Sequence, residues 1–505
     1  MVAMPEFVSQ SGGTVRPELR AGVPLCVDLD GTLVKSDTLV DSVLVMARQK
    51  PMELVKIPGW IAQGKASFKK HVTSAVELDV EHLPYNHALL QWLRVEAGAG
   101  RDIYLATAAD AVLAERVAAH LGIFKGVLAS DGSTNLAGGN KLAAFRARFG
   151  DEFCYVGNAK PDASLLAACV SPMVANPDGA LLSAMKRNGT VAVATFTDKS
   201  STLKGWLRAV RLHQWAKNVL IFVPLLLAHA WSLGRVLAAA IAFVSFGLCA
   251  SATYIINDLL DIEADRKHPR KKRRPFAAGD ISPIAGVMAV VGLMGVSVAL
   301  AVLLPRIITS APGGFTLQEP YAFVEWLALY TATTLTYSFY FKRKVLLDVF
   351  VLSGLYTLRI LAGSAASGVE VSAWLAGFSV FFFLSLAFVK RFSELESLRE
   401  RGGAVTNGRG YFVSDLEQLR ALGTGAMYAA VVVLTLYIKD TENAALYHHQ
   451  LRLWLVVPVL LLWLSRMWIL TSRGEMHDDP VVFAITDKRS LALGALMAVI
   501  VWWAL

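Results

Sequence analysis

From residue 216 to its end the chain consists of long apolar runs separated by short polar connectors. Nothing else in the sequence constrains folding as strongly. Inside a bilayer every backbone polar group must be satisfied within the protein, and a run of about 20 apolar residues achieves this as a spanning helix. Nine such runs are readable, near 216–232, 235–256, 282–305, 322–341, 345–367, 371–389, 420–438, 452–471 and 489–505, the first and last being short. The connectors alternate in charge: those at 257–281, 342–344, 390–419 and 472–488 hold most of the Lys and Arg, and those near 306–321, 368–370 and 439–451 hold few. Basic connectors stay in the cytosol. The pattern predicts a multi-pass protein of the inner (cytoplasmic) membrane, with the N-terminal domain cytosolic and the C-terminus outside.

The same bias accounts for most of the net charge of +9. The basic runs sit at membrane exits without interleaved stacking aromatics, which argues against a nucleic-acid partner. At 505 residues at least two domains are expected. The mean hydropathy of +0.48 is unevenly spread, because residues 1–200 have the composition of a soluble α/β protein. The four cysteines, Cys26, Cys154, Cys169 and Cys249, include no CxxC pair, which speaks against a disulfide framework or zinc site and fits a reducing compartment. No basic segment followed by an apolar one opens the chain, so no cleaved signal is expected. The expected organisation is a tail (1–20), an α/β domain (21–190) with helical residues 39–98 as its cap, a linker with an interfacial helix (191–215), and the all-α membrane domain (216–505). Residues 202–218 mix Trp206, Leu207, Val210 and Trp215 with Arg208, Arg211 and Lys217, the pattern of a helix lying in the interface.

After the second apolar run comes Asn257-Asp258-Leu259-Leu260-Asp261-Ile262-Glu263-Ala264-Asp265-Arg266. On a helix Asp258, Asp261 and Asp265 share one face. Carboxylates this close repel unless a cation lies between them, and Mg²⁺ takes carboxylate oxygens while leaving positions for phosphate. The basic loop from His268 to Pro275 follows at once, so a phosphorylated substrate at a membrane surface is expected.

In the soluble half, the apolar strand Val23–Val27 runs into Asp28-Leu29-Asp30-Gly31-Thr32. A second strand ends at Thr107, Lys141 follows Gly138-Gly139-Asn140, and a third strand ends in Gly157-Asn158-Ala159-Lys160-Pro161-Asp162. Carboxylates just past a strand's C-terminal end lie where α/β sheets bind ligands. The first can attack phosphorus and the second can serve as general acid and base, with a metal between them. A hydroxyl and a lysine suit a transferring phosphoryl group.

These four motifs in order resemble the haloacid dehalogenase (HAD) superfamily of phosphatases over about 21–190. The resemblance implies a Rossmann-like domain with Asp28 as nucleophile, Asp30 as acid and base, Thr107 and Lys141 as phosphate ligands, and Asp28, Asp30 and Asp162 around the metal. Asn158 stands where many members carry aspartate. The alternative is a degenerate domain kept as a scaffold.

The NDxxDxxxD pattern after the second of nine spans resembles the UbiA superfamily of intramembrane prenyltransferases over about 210–505. Gln214-Trp215-Ala216-Lys217-Asn218, the run from Asp265 to Gly279, Lys390-Arg391-Phe392-Ser393-Glu394-Leu395 and Asp479-Pro480-Val481-Val482-Phe483 are similar to its polyprenyl-phosphate phosphoribosyltransferase branch. Members that use prenyl diphosphates usually carry a second motif, often DxxxD. Here that stretch holds only Asp348, with Leu352 four residues on. The resemblance implies transfer of 5-phosphoribose from phosphoribosyl pyrophosphate to a polyprenyl phosphate, with Mg²⁺ as cofactor. By it, Asn257, Asp258, Asp261 and Asp265 hold Mg²⁺-diphosphate. Arg266, His268, Lys271 and Arg274 bind phosphate, joined by Lys217, Asn218, Lys342, Lys390 and Arg391, and Asp348 orients ribose or the second substrate. Arg359, midway along a span, is a candidate by its cost alone, unless a carboxylate pairs with it. Glu394 is placed to pair with Lys390 at i, i+4, and Tyr254 and Tyr340 suit either an acceptor pocket or the membrane interface. Two alternatives stand beside this reading: a prenyltransferase moving a prenyl group from its diphosphate to an aromatic or other acceptor, and a non-enzymatic scaffold or transporter with an inactive HAD head.

Overall fold

The computed structural model describes residues 6–7, 22–400, 402, 409–440, 447–476 and 479–505. The expected tail, 1–20, lies outside the described residues except for 6–7. The chain forms two compact units, one of residues 1–210 and 254–290 and the other of 211–253 and 291–505. The segment carrying the aspartate motif and the basic loop thus clusters with the N-terminal residues.

In the first unit seven strands form one sheet: β1 (Glu6–Phe7), β2 (Leu25–Val27), β3 (Ile103–Asp110), β4 (Gly126–Ser130), β5 (Cys154–Gly157), β6 (Ser171–Ala175) and β7 (Ala194–Phe196). Their order is β1-β7-β6-β5-β2-β3-β4, parallel throughout except for β1 against β7. A parallel sheet is covered on both faces, which is why β2 reads as an unbroken apolar run. Leu25 and Val27 enter one core, with Val45, Met46, Leu89 and Leu93, while Cys26 enters the other, with Tyr104, Phe145 and Tyr155. Leu25 pairs with Ile103 of β3 on one side and Cys154 of β5 on the other. The strand order therefore reverses at β2, and its C-terminal end is the crevice where this architecture collects functional groups. The stretch between β2 and β3 is helical, with helices Thr38–Gln49, Ile57–Ala62, Lys65–Ala75 and His87–Gly98.

Six helices or helical stretches among the described residues are long and apolar enough to cross a membrane: Leu233–Leu260, Pro283–Ser310, Leu347–Ser367, Ala373–Glu400, Val413–Lys439 and Gln450–Ser472. The other three expected spans are shorter elements. Residues 216–232 divide between a 3₁₀ stretch, Leu212–Phe222, and the five-residue helix Val223–Leu227, where Pro224 sits in the first turn. Residues 322–341 form Ala322–Phe339, with Glu325 in its first turn, and 489–505 form Lys488–Ala504. The expected interfacial helix over 202–218 also stops early. Helix Thr202–Val210 ends before Arg211, whose φ of 54° is left-handed. In the second unit the close approach of Leu347–Ser367 to the 3₁₀ stretch depends on Gly363, since a Cβ there would strike the Ile221 carbonyl.

Candidate active site

Three side-chain clusters gather many of the residues singled out from the sequence. The first lies at the end of β2. Asp28 and Lys141 form an ion pair of 2.8 Å, with the lysine almost fully buried. Lys141 also donates to the Tyr155 hydroxyl (3.2 Å), which donates to Asp162 Oδ1 (2.7 Å). Asp162 Oδ2 accepts from the backbone N–H groups of Asn158 and Ala159, so both its oxygens are spent on the β5 turn. Asp30 accepts from the Thr38 N–H at 2.7 Å, and the Thr107 hydroxyl, fully buried, accepts from Ala109 N–H. Thr32 donates to Asn158 Oδ1, and Gly31, with φ 77°, leaves room for that amide, which a Cβ would strike. Asp28, Asp30 and Lys141 thus lie at the strand ends.

Burial raises the Asp28 carboxyl to about 6, Lys141 opposing and Asp162 adding to the shift. Burial also raises Asp30 to about 7, with Asp37 beside it adding repulsion. For Lys141 burial works against the charge, and Asp28 and Asp162 outweigh it, leaving its pKa above the usual value. Two carboxyl groups held near neutral beside a fixed ammonium suit phosphoryl chemistry. Lys69, which the sequence did not single out, reaches across from helix Lys65–Ala75 to the Ala108 carbonyl (2.6 Å) and Asn135 (2.8 Å). Its burial lowers its pKa, Asp30 and Asp37 resisting. Nothing in its local sequence marks it, because the helical stretch between β2 and β3 is what carries it to the strand ends.

The second cluster is the aspartate motif, also in the first unit. Helix Leu233–Leu260 ends at the motif and a short helix, Ile262–Lys267, follows. The break at Asp261 divides the expected carboxylate face. Asp258 and Asp265 are drawn together by one nitrogen, Arg274 Nη1, 2.9 Å from Asp258 Oδ1 and 2.7 Å from Asp265 Oδ2. Both carboxylates are nearly inaccessible, and burial raises the Asp265 pKa against the pull of Arg274. A cationic nitrogen thus stands where two buried carboxylates require positive charge. These donors fit Mg²⁺, a hard cation of carboxylate oxygens. Asp261 faces Arg48 instead, at 3.4 Å. Arg266, expected on phosphate, is turned to Asp41 at 2.8 Å. His268 Nδ1 caps the turn by accepting from the N–H groups of Arg270 and Lys271.

The third cluster belongs to the second unit. Asp479 Oδ2 accepts from Lys217 at 2.8 Å and Lys390 at 3.0 Å, and its other oxygen takes the Tyr356 hydroxyl at 3.3 Å. The two lysines, more than 170 residues apart in sequence, are brought to one carboxylate. Arg359 donates to Asn218 (3.0 Å) and Tyr330 (3.1 Å) and lies against the rings of Phe246, Tyr330 and Tyr356. Among the described residues no carboxylate pairs with it, so an amide, a phenol and aromatic faces hold its charge. Asp348 is fully buried between Arg391 and the Tyr411 hydroxyl. Glu394 pairs with Arg391 and Arg409, not with Lys390 as its spacing suggested, because Asp479 claims that lysine. Tyr340 is exposed and Lys342 half-buried. Nothing in the local sequence marks Tyr330, Tyr356 or Tyr411 for these contacts, whereas Asp479 stands in the motif Asp479-Pro480-Val481-Val482-Phe483.

Residues 219–503 match the UbiA prenyltransferase family. The chain is 38% identical over 480 residues to uncharacterized protein y4nM of Sinorhizobium fredii, covering 94% of this chain and 90% of that protein. It is 34% identical over 286 residues to nodulation protein NoeC of Azorhizobium caulinodans (57% of this chain, 88% of the relative). It is 32% identical over 250 residues to the decaprenyl-phosphate phosphoribosyltransferase of Mycobacterium tuberculosis, 48% of this chain and 77% of the relative. The chain is a membrane protein of the UbiA prenyltransferase family.

Proposed function

We propose that this protein transfers 5-phosphoribose from phosphoribosyl pyrophosphate to a polyprenyl phosphate, and that its N-terminal domain then removes the 5-phosphate from the product. The observation that carries the first step is the aspartate motif: Asp258 and Asp265 closed around one cationic nitrogen, and no second aspartate pair at 348–352. Similarity to a decaprenyl-phosphate phosphoribosyltransferase supports the same choice. In the reaction the bond from ribose C1 to the diphosphate breaks, the electron pair leaves with diphosphate, and a phosphate oxygen of the lipid bonds to C1. Asn257, Asp258, Asp261 and Asp265 would hold Mg²⁺, which would supply the positive charge that neutralises a departing diphosphate. With a metal between Asp258 and Asp265, Arg274 would be free to bind phosphate, as would Lys271 and His268 of the same loop. Lys217 and Lys390 bind a further phosphate in exchange for Asp479. In the second unit Arg359, held by Asn218, is a further candidate for an anion, as is Lys342, and Arg391 holds Asp348 in place. Donor and product sites face the cytosol of the inner membrane, following the basic connectors.

In the second step Asp28 attacks the 5-phosphate and Asp30 protonates the leaving ribose oxygen. Asp30 then takes a proton from the water that frees the aspartyl phosphate. Lys141 and Thr107 hold the phosphoryl oxygens, and Asp162 keeps the β5 turn and Tyr155 in place. Carboxyl pKa values of about 6 and about 7 support these roles. The test uses membrane vesicles with labelled phosphoribosyl pyrophosphate and polyprenyl phosphate. Lipid-linked label is expected, and its absence defeats the transferase reading. Label that keeps its 5-phosphate equally in wild type and Asp28→Asn defeats the phosphatase step.

A further inference from the structure

The N-terminal domain and the aspartate motif meet within one compact unit, and the meeting is polar. Arg266 follows Asp265 in the chain. Its Nη1 pairs with Asp41 Oδ2 at 2.8 Å, its Nη2 donates to Ser36 Oγ at 3.2 Å, and its Nε donates to the Ala277 carbonyl at 3.2 Å. Ser36 also donates to Asp41 Oδ2 at 2.7 Å. The pair is sealed: the Asp41 side chain is 0% exposed and that of Arg266 4%. Asp41 Oδ1 has no hydrogen-bond partner. A buried pair with an oxygen left over is a poor source of stability, since apolar side chains of similar volume commonly serve a core as well or better. What such a pair does supply is register, fixing one segment against another.

The rest of the contact has the same character. Arg48, in the last turn of helix Thr38–Gln49, reaches Asp261 at 3.4 Å, Gln49 reaches Glu263 at 3.4 Å, and Lys267 pairs with Asp79 at 3.0 Å. Helix Thr38–Gln49 starts from the other crevice, where the Thr38 N–H donates to Asp30. One helix therefore touches the β2 crevice with its first residue and the aspartate motif with its middle and end.

We infer that Asp41 and Arg48 are positioning residues for the metal-diphosphate site of the transferase, supplied by the phosphatase-like domain. This rests on the transferase reading above. Asp41 neutralises and anchors Arg266, so that its charge does not compete with a metal beside Asp265. Arg48 draws Asp261 aside and partly cancels its charge. The two act with opposite sign, which mere scaffolding would not produce.

The test measures Mn²⁺ affinity of the detergent-purified full chain from the free-ion EPR signal, in an Asp28→Asn background that weakens metal binding in the β2 crevice. Asp41→Asn leaves the Arg266 charge uncompensated and weakens Mn²⁺ binding by about tenfold or more, the scale for loss of an outer-shell partner. Arg48→Gln strengthens it by roughly two- to fivefold, the scale of a partly exposed ion pair. Adding Arg266→Gln to Asp41→Asn recovers much of the loss, and this pair of changes keeps the test decisive if Asp41→Asn alone folds poorly. Shifts of the same sign in Asp41→Asn and Arg48→Gln, Mn²⁺ affinities within experimental error of the parent, or a double variant showing only additive loss would overturn the inference. The metal readout needs no turnover, so a wild-type chain without phosphoribosyl transfer would defeat the proposed function and not this inference.

Discussion

Replacing Arg274 with Ala tests the claim that its guanidinium stands in a cation position. Arg274 Nη1 touches Asp258 at 2.9 Å and Asp265 at 2.7 Å, so the two oxygens are at most about 6 Å apart and, at an effective dielectric constant near 20, repel each other by roughly 3 kcal/mol once it is removed. Lost charge-assisted hydrogen bonds add to this, while the 30% exposure of the arginine side chain lets water take back part of it. A net loss of about 3 kcal/mol in chelator is expected. Mg²⁺ present at about 100 times its dissociation constant restores about 2.7 kcal/mol, because it binds the folded site alone. The measurement is proteolytic susceptibility of the 257–281 segment in the detergent-purified full chain, in chelator and in Mg²⁺. Arg274→Ala is cut faster than wild type in chelator and is rescued by Mg²⁺ far more than wild type is. The sign with pH is also set. The Asp265 pKa lies above its unfolded value and rises further without Arg274, so the stability it contributes is present at low pH and lost as pH rises through the folded value. The chelated variant is therefore more resistant near the unfolded carboxylate pKa of about 4 than at neutral pH. Equal Mg²⁺ protection of variant and wild type would refute the reasoning.

Asp28 and Asp30, raised from 3.8 to about 6 and about 7, contribute stability below the unfolded value that is lost as pH rises through the folded ones. In chelator the β2 crevice of the wild type loses more resistance to denaturant between about pH 4 and pH 8 than that of Asp30→Asn does. Gly363→Ala drives a Cβ into the Ile221 carbonyl and costs about 1–3 kcal/mol, read as loss of folded yield in detergent, whereas Gly354→Ala on the same helix, with nothing within 4 Å, costs nothing. Asp479→Asn leaves Lys217 and Lys390 repelling each other, so the variant unfolds at lower temperature at low ionic strength, and inorganic pyrophosphate stabilises it more than it stabilises wild type.

Much of this was legible from local pattern. Asp28, Asp30, Thr107, Lys141 and Asp162 were readable as a candidate group, because strand ends in a parallel sheet deliver such residues to one edge. Apolar run lengths located the six long helices. They misled at 216–232, where Pro224 and a 3₁₀ stretch divide the segment, and the mixed apolar and basic pattern at 202–218 misled likewise, since a left-handed Arg211 ends that helix.

Partner choice among charges was the part that spacing could not supply. Helical periodicity gave Asp258, Asp261 and Asp265 one shared face, and Glu394 a pairing with Lys390. In the folded chain Arg274 gathers two of the three aspartates, Arg48 takes the third, and Asp479 captures Lys390 from 89 residues away. Membrane insertion and two acidic centres follow from periodicity and from residue chemistry at element ends, and the Rossmann-like sheet from the resemblance of the motif order. The packing of the aspartate motif against the N-terminal residues through Asp41 and Arg266 emerges only in the folded chain. Ion pairs are chosen by proximity and by the cost of leaving a buried charge uncompensated, and both exist only once distant segments have come together.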